Sequence, residues 1–141
     1  MSDIKKTFTG KLYTQQEKPA DILYAEANGI TAIPGAHNNG LGKDKIHYGS
    51  NSGYQAINLA FLMGAKLIYL LGYDMGRTGG KSHWFGSHPA GLCEGNYEQL
   101  VPRFTKLATD LAREGVEVVN LSRATNLQCF KRSTIEDVWA I

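Results

Sequence analysis

The chain has 141 residues, of which 43% are hydrophobic and 20% charged, and a formal net charge of +2. That length fits one domain with a real core and is too short for two independent ones. The charge is too small for the basic stripe of a nucleic-acid binder and no apolar run approaches the ~18 residues that cross a bilayer, so neither partner is expected.

The opening residues, Met1 to Lys6, carry charges with no apolar run behind them. No secretory signal is expected and the cytoplasm is the default location. Cys93 and Cys129 lie far apart without a CxxC partner, which favours free buried thiols over a disulfide or a metal site. Short apolar pieces at 10–14, 22–25 and 30–33 each predict a short strand within an otherwise irregular stretch 1–50. From Pro34 to Ser52 the chain is rich in glycine, asparagine and histidine, the composition of a long functional loop.

The pattern then sharpens. Ser52 is a candidate N-cap, and Ile57, Ala60, Phe61 and Gly64 follow at the spacing of one helix face, with Gly64 as the stop. Leu67-Ile68-Tyr69-Leu70-Leu71 is an unbroken apolar run, predicting a parallel strand covered on both faces. Glycine-rich loop composition returns over 72–95, followed by a helix over 96–114 with Tyr97, Leu100, Val101, Phe104, Leu107, Ala108 and Leu111 on its apolar face. Gly115 is its expected C′ residue, and Pro102 should kink it or mark its true start. A strand over 116–120 and a capping box at Ser133-Thr134-Ile135-Glu136 complete an alternation of helix and strand that predicts a single α/β domain, with its motif-bearing core at 51–130.

Ligands of open α/β sheets collect beyond the carboxyl ends of the strands. Two features fall there. Asn51-Ser52-Gly53-Tyr54 opens a helix, whose N–H groups and positive dipole end favour a phosphate or carboxylate, with Gly53 allowing close approach; a simply capped helix reads the same way. Gly72-Tyr73-Asp74-Met75 ends the apolar strand in a turn and an acid, which can hold a ribose hydroxyl, coordinate a divalent cation such as magnesium, or only bond the turn. Arg77, Lys81, His83 and His88 follow, so one anionic ligand can use several of them. The five-residue spacing of His83 and His88 matches no closed zinc site, whereas either imidazole suits a general base. His37 and His47 can line the opposite wall of a pocket, and Tyr48 and Tyr54 can stack on a base or belong to the core.

From Asn51-Ser52-Gly53-Tyr54-Gln55-Ala56 through Gly64-Ala65-Lys66-Leu67 to Gly72-Tyr73-Asp74-Met75, and again at Val118-Val119-Asn120-Leu121-Ser122, the chain resembles the motility-accessory-factor glycosyltransferases. It is also similar to their hydroxymethylpterin-pyrophosphokinase-like archaeal relatives, to short phage proteins of the same kind and, more distantly, to bacterial sialyltransferases. The resemblance covers roughly 45–130 and implies a Rossmann-like, mostly parallel sheet flanked by helices. It further implies a nucleotide or nucleotide-sugar touched by Ser52 and Gly53, with Asp74 beside it and His83 or His88 as proton acceptor.

The chain departs from that family in lacking the strand and glycine-rich turn with which the pocket usually opens. Either it is the C-terminal half of a larger enzyme, or it is a short protein that keeps the binding half. A nucleotide-dependent transferase is therefore one expectation. A non-catalytic phage nucleotide binder, which sequesters a signalling nucleotide in the host cytoplasm, is another, and a structural subunit with a vestigial site is a third. A half-sheet with an open edge makes a homo-oligomer the expected assembly.

Overall fold

The structure is a computed structural model that describes residues 7–77, 80 and 96–139. Among the described residues, six strands and four helices follow one another as β1 (Leu12–Gln16), α1 (Pro19–Ala27), β2 (Ile30–Ala36), β3 (Ile46–His47), α2 (Ser52–Leu62), β4 (Leu67–Leu70), α3 (Tyr97–Arg113), β5 (Glu117–Asn120), β6 (Lys131–Arg132) and α4 (Ile135–Val138). They form two parallel three-stranded sheets, ordered β1-β2-β3 and β4-β5-β6, flanked by helices. The chain is thus a mixed α/β protein with parallel strands, as the alternation of elements predicts.

The stretch before Ser52 is more regular than its composition indicates. Residues 22–25, expected as a strand, lie inside α1: Pro19 supplies the fixed φ of a first helical position, Asp21 sits in the first turn, and three alanines favour the helix. β1 pairs with β2 in register from Leu12↔Ile30 to Gln16↔Pro34, and β2 continues past the expected end at Ile33 to pair Gly35 with Ile46 of β3. A β-α-β unit therefore precedes the motif-bearing core. The connection from β1 to α1, Glu17-Lys18, carries no glycine.

Around α2 the sequence is nearly right. The cap is Asn51 rather than Ser52: Asn51 has extended backbone and its side chain accepts from Tyr54 N–H, which leaves Ser52 as the first helical residue. Gly64 and Gly115 follow α2 and α3 in left-handed backbone, φ 88° and 69°, where a Cβ would be strained. Pro102 neither starts nor ends α3. Both it and Glu98, whose carbonyl loses its helical donor, are on the exposed side, where that carbonyl is open to solvent. At α4 the capping box is shifted by one residue, to Thr134 and Asp137, because Thr134 Oγ1 accepts from Asp137 N at 3.1 Å.

The core lies on one face of the second sheet. Ile68 and Leu70 of β4 and Val118 of β5 meet Tyr54 and Ile57 of α2 and Leu100, Phe104, Leu107 and Leu111 of α3, closed by Leu127 and Phe130. Phe104 sits edge-on to both Tyr54 and Phe130. The expected coverage of β4 on both faces is not found: burial alternates along it, with Leu67 46% and Tyr69 37% exposed. Val119 of β5 stays buried on that side, and Trp139 after α4 leans on Tyr69 with ring centroids 5.1 Å apart. The apolar run thus encodes one packed face and one open face. Periodicity cannot separate the two when both faces carry aliphatic residues.

Side chains of α2 and α3 hold the buried loop between β2 and β3. Asn58, wholly buried, accepts from Gly42 N at 3.0 Å and His47 N at 2.9 Å and donates to Gly42 O at 2.8 Å. Tyr54 Oη donates to Gly40 O at 2.9 Å and accepts from Gly40 N. Asp110 Oδ2 accepts from Leu41 N at 3.1 Å, and Lys106 and Arg113 flank it; the hydrogen bond from Lys106 holds its carboxyl below the ordinary range. Asn58→Ala strands two donors and one acceptor, so it should lower unfolding free energy by about 2–4 kcal/mol. Urea unfolding of the two proteins measures this, and a loss under about 0.5 kcal/mol would show that water replaces all three bonds.

Candidate functional site

The helix start and the strand end singled out in the sequence meet in the fold. Tyr73, in the turn after β4, donates from Oη to Gly53 O at 3.0 Å, across twenty residues of sequence. Its ring lies 2.8 Å from where a Cβ on Gly53 would stand, so glycine is required there for the approach of Tyr73. Burial raises the Tyr73 phenol above its ordinary pKa, which keeps it a neutral donor at physiological pH.

The turn itself is held from the loop after β5. Ser122 Oγ accepts from Tyr73 N at 2.7 Å, and Thr125 Oγ1 donates to Tyr73 O at 2.6 Å. Asn126 donates from its backbone to Asp74 O at 2.8 Å and from Nδ2 to Met75 O at 3.0 Å. Buried Asn120 organises this loop, donating to Thr125 Oγ1 at 3.1 Å and accepting from Ser122 N at 3.0 Å. Gly72 and Met75 both have positive φ, 72° and 48°. For Met75 that backbone is unfavourable, and it is fixed by Asn126 on one side and by burial of the Met75 side chain on the other.

At the helix start, Asn51 spends its side chain on Tyr54 N, and helical pairing begins at Gln55 N. The N–H groups of Ser52 and Gly53 then have no acceptor within the helix, and Ser52 is exposed. Just before them, Ser50 has φ 57° and accepts at Oγ from the guanidinium of Arg103, which α3 delivers to this corner. A fixed positive charge therefore stands beside the positive end of α2, the arrangement that favours an anion.

The predicted residues divide accordingly. Tyr73 brings the turn 72–75 to the start of α2 at Gly53, beside Asn51 and Ser52; in that turn Gly72 is exposed, Asp74 is partly buried and the Met75 side chain is turned into the core. Tyr54 is wholly buried against Phe104, so it positions the neighbouring loop instead of lining the corner. Arg77 is exposed just beyond the turn. Lys81, His83 and His88, and with them the proposed proton acceptors, lie outside the described residues, as does Cys93. Cys129 is a free, half-buried thiol, pushed up in pKa by burial. His47 is turned to Gly40 O at 3.1 Å, whereas exposed His37 stacks edge-on against Tyr48. Sequence reasoning missed Arg103, which reads as one more charge on a helix face, and gave no role to the run 120–126, of which Asn120 entered as a strand end and Ser122 only through the resemblance.

Comparison with known proteins gives no match: no family model, curated protein or solved structure is significantly similar to the chain. Among the described residues no group of three or more His, Cys, Asp or Glu is arranged to hold a metal ion, and no helix is long and apolar enough to cross a membrane.

The contact between Gly53 and Tyr73 is directly testable. Gly53→Ala should displace the Tyr73 ring and destabilise the protein by roughly 1–2 kcal/mol, and Tyr73→Leu in the same chain should recover part of that loss. A double-mutant cycle by thermal unfolding gives the coupling; strict additivity would mean the two residues do not touch.

Proposed function

We propose that the protein binds a nucleotide or nucleotide-sugar at the corner between α2 and the turn after β4, on a Rossmann-like sheet arrangement. The observation that carries this reading is the hydrogen bond from Tyr73 Oη to Gly53 O, which ties the anion-favouring start of α2 to the turn that carries Asp74. In this reading the N–H groups of Ser52 and Gly53, with Arg103, receive a phosphate. Asp74, the residue after Tyr73, receives a ribose hydroxyl. Where magnesium accompanies the ligand, Asp74 would be its protein oxygen and the phosphates would supply others, as this hard cation commonly requires. Transfer chemistry, if the protein performs it, rests on His83 or His88 as general base, so binding is the core of the proposal and turnover its extension.

The reading is tested by isothermal titration against CMP, UDP-glucose, ATP, a cyclic dinucleotide and ADP-ribose. At least one should bind, and Asp74→Ala and Arg103→Gln should each weaken it about tenfold, equivalent to ~1.4 kcal/mol. Ser52→Ala should cost less, because Ser52 contributes through its backbone. No binding by any of the five at millimolar concentration ends the nucleotide reading. Chromatographic recovery of unchanged ligand after prolonged incubation with active protein separates a sequestering binder from a transferase.

A second reading, a subunit of a homo-oligomer whose site is vestigial, is supported by the open face of β4-β5-β6. Exposed Leu67 and Tyr69 line a groove of about 360 Å³ together with Glu117, Lys131 and Asp137, and exposed Trp139 leans on Tyr69. A subunit of this kind should sediment as a dimer or larger, and Tyr69→Lys should shift it to monomer; a wild-type monomer at 100 times typical assay concentration, roughly 100 µM, excludes this assembly.

A further inference from the structure

A second concavity opens at the carboxyl ends of the first sheet. Gln16 is the last residue of β1, His37 follows β2 and Tyr48 follows β3, so three parallel strands end around one cleft of about 470 Å³. Ser50 and Gln55, from the approach to α2 and its first turns, also line it, as do Glu17 and Asp21. The volume lies within the range of small-ligand sites, and the position is the one where parallel α/β sheets receive ligands.

The floor is built. Tyr48 is buried, its hydroxyl is bonded to Gln15, and burial together with the Glu17 carboxylate pushes its phenol up to about 12. It is a neutral, fixed surface at any physiological pH. The His37 ring stands edge-on to it with centroids 4.7 Å apart, and His37 Nε2 is 3.5 Å from Glu17 Oε1. The His37 side chain is itself 84% exposed, which leaves one face of the imidazole open above the cleft.

The chemistry of the walls selects among ligands. Glu17 and Asp21 oppose an anion, while Lys18 and His37 keep the cleft from being a purely acidic surface. What remains in number is groups that both donate and accept, the carboxamides of Gln16 and Gln55 and the hydroxyl of Ser50, beside carboxylates that accept only. A ligand dense in hydroxyls matches that set, since each hydroxyl donates to a carboxylate and accepts from an amide, and its C–H face packs on a ring. Among the described residues the walls hold no Leu, Ile, Val or Phe, so the rings of His37 and Tyr48 are the apolar surface and the polar groups outnumber them.

We propose that this cleft binds a sugar, either as a free saccharide or as the glycosyl part of a nucleotide-sugar. The second form rests on the nucleotide reading above, and Ser50 provides the continuity: it lines the cleft and also takes the hydrogen bond of Arg103 at the anion corner. The phosphate end of such a ligand lies at Arg103 and the start of α2, and the sugar lies against the exposed face of His37, beside Glu17.

The test uses amide-resolved NMR of the full chain, titrated separately with glucose, galactose, mannose, N-acetylglucosamine and ribose, then with UDP and UDP-glucose. At least one free sugar should move the amides of Glu17, Lys18 and His37 saturably, in the millimolar range. Glu17→Gln and His37→Ala, both at exposed positions, should raise its dissociation constant at least about fivefold with melting temperature unchanged, as expected for a lost hydrogen bond to the ligand. UDP-glucose should bind at least about tenfold tighter than UDP, and both variants should abolish that advantage without changing UDP affinity. Sugars that act on the cleft while UDP binds nowhere uphold the saccharide site and remove the nucleotide reading. Binding of UDP at 51–54 with no sugar or nucleotide-sugar moving the cleft amides overturns the sugar site and leaves the nucleotide reading in place. Dissociation constants within twofold of wild type in both variants overturn it as well.

Discussion

Asn58 is the side chain on which the placement of everything else depends. A carboxamide removed from water loses hydration at its donor and acceptor alike, and it is tolerated only where both are replaced. Here the replacements are Gly42 N, His47 N and Gly42 O, all on the segment between β2 and β3. That segment is buried at Gly40, Leu41 and Gly42, so its own backbone groups need partners that a regular sheet would otherwise supply. Tyr54, Asn58 and Asp110 supply them from two helices, and in doing so fix the first sheet against α2.

The second sheet obeys the same logic at the other end of the site. The turn after β4 contains Gly72 and Met75 at positive φ, a conformation that the local sequence does not favour for methionine. Ser122, Thr125 and Asn126 bond its backbone at Tyr73, Asp74 and Met75, so the loop after β5 imposes the shape. Tyr73 then transmits that shape to Gly53. Two irregular segments are thus set by side chains distant in sequence, and α2 stands between them with its first N–H groups exposed in a fixed direction. Preorganisation of this kind lowers the ordering cost of binding an anion, because the donors are already aligned.

Legibility followed the range of the forces involved. α2, α3, β4 and β5 could be read within a few residues, since their 3.6-residue faces and apolar runs are local signals. α1 could not, because its apolar side is nearly spent on solvent: Leu23 and Tyr24 are exposed and Ala25 alone among its residues is buried. A four-residue apolar run in that setting reads as a strand as easily as a helix. The Asn51-Ser52-Gly53 and Gly72-Tyr73-Asp74 motifs were visible as separate features, but their contact through Tyr73 was not, nor was the arrival of Arg103 at Ser50. Those depend on tertiary placement, which one-dimensional patterns do not carry. Gly53 shows the limit most clearly: its lack of a side chain was read as room for a ligand, and the space is occupied first by the Tyr73 ring.

Ser50 ties these observations together. Its φ of 57° is costly for a residue with a side chain, and a serine there is held by Arg103 at Oγ while the backbone turns toward Asn51, whose N–H bonds Tyr48 O. The strained residue therefore connects the phenol floor of one cleft to the capped start of α2 and to the guanidinium that α3 contributes. Backbone strain persists where surrounding contacts over-determine it, and such contacts gather where a ligand's orientation matters. A molecule with an anionic end and a hydroxyl-rich end would find the matching groups on the two sides of this one residue, in a geometry that three elements fix before it arrives.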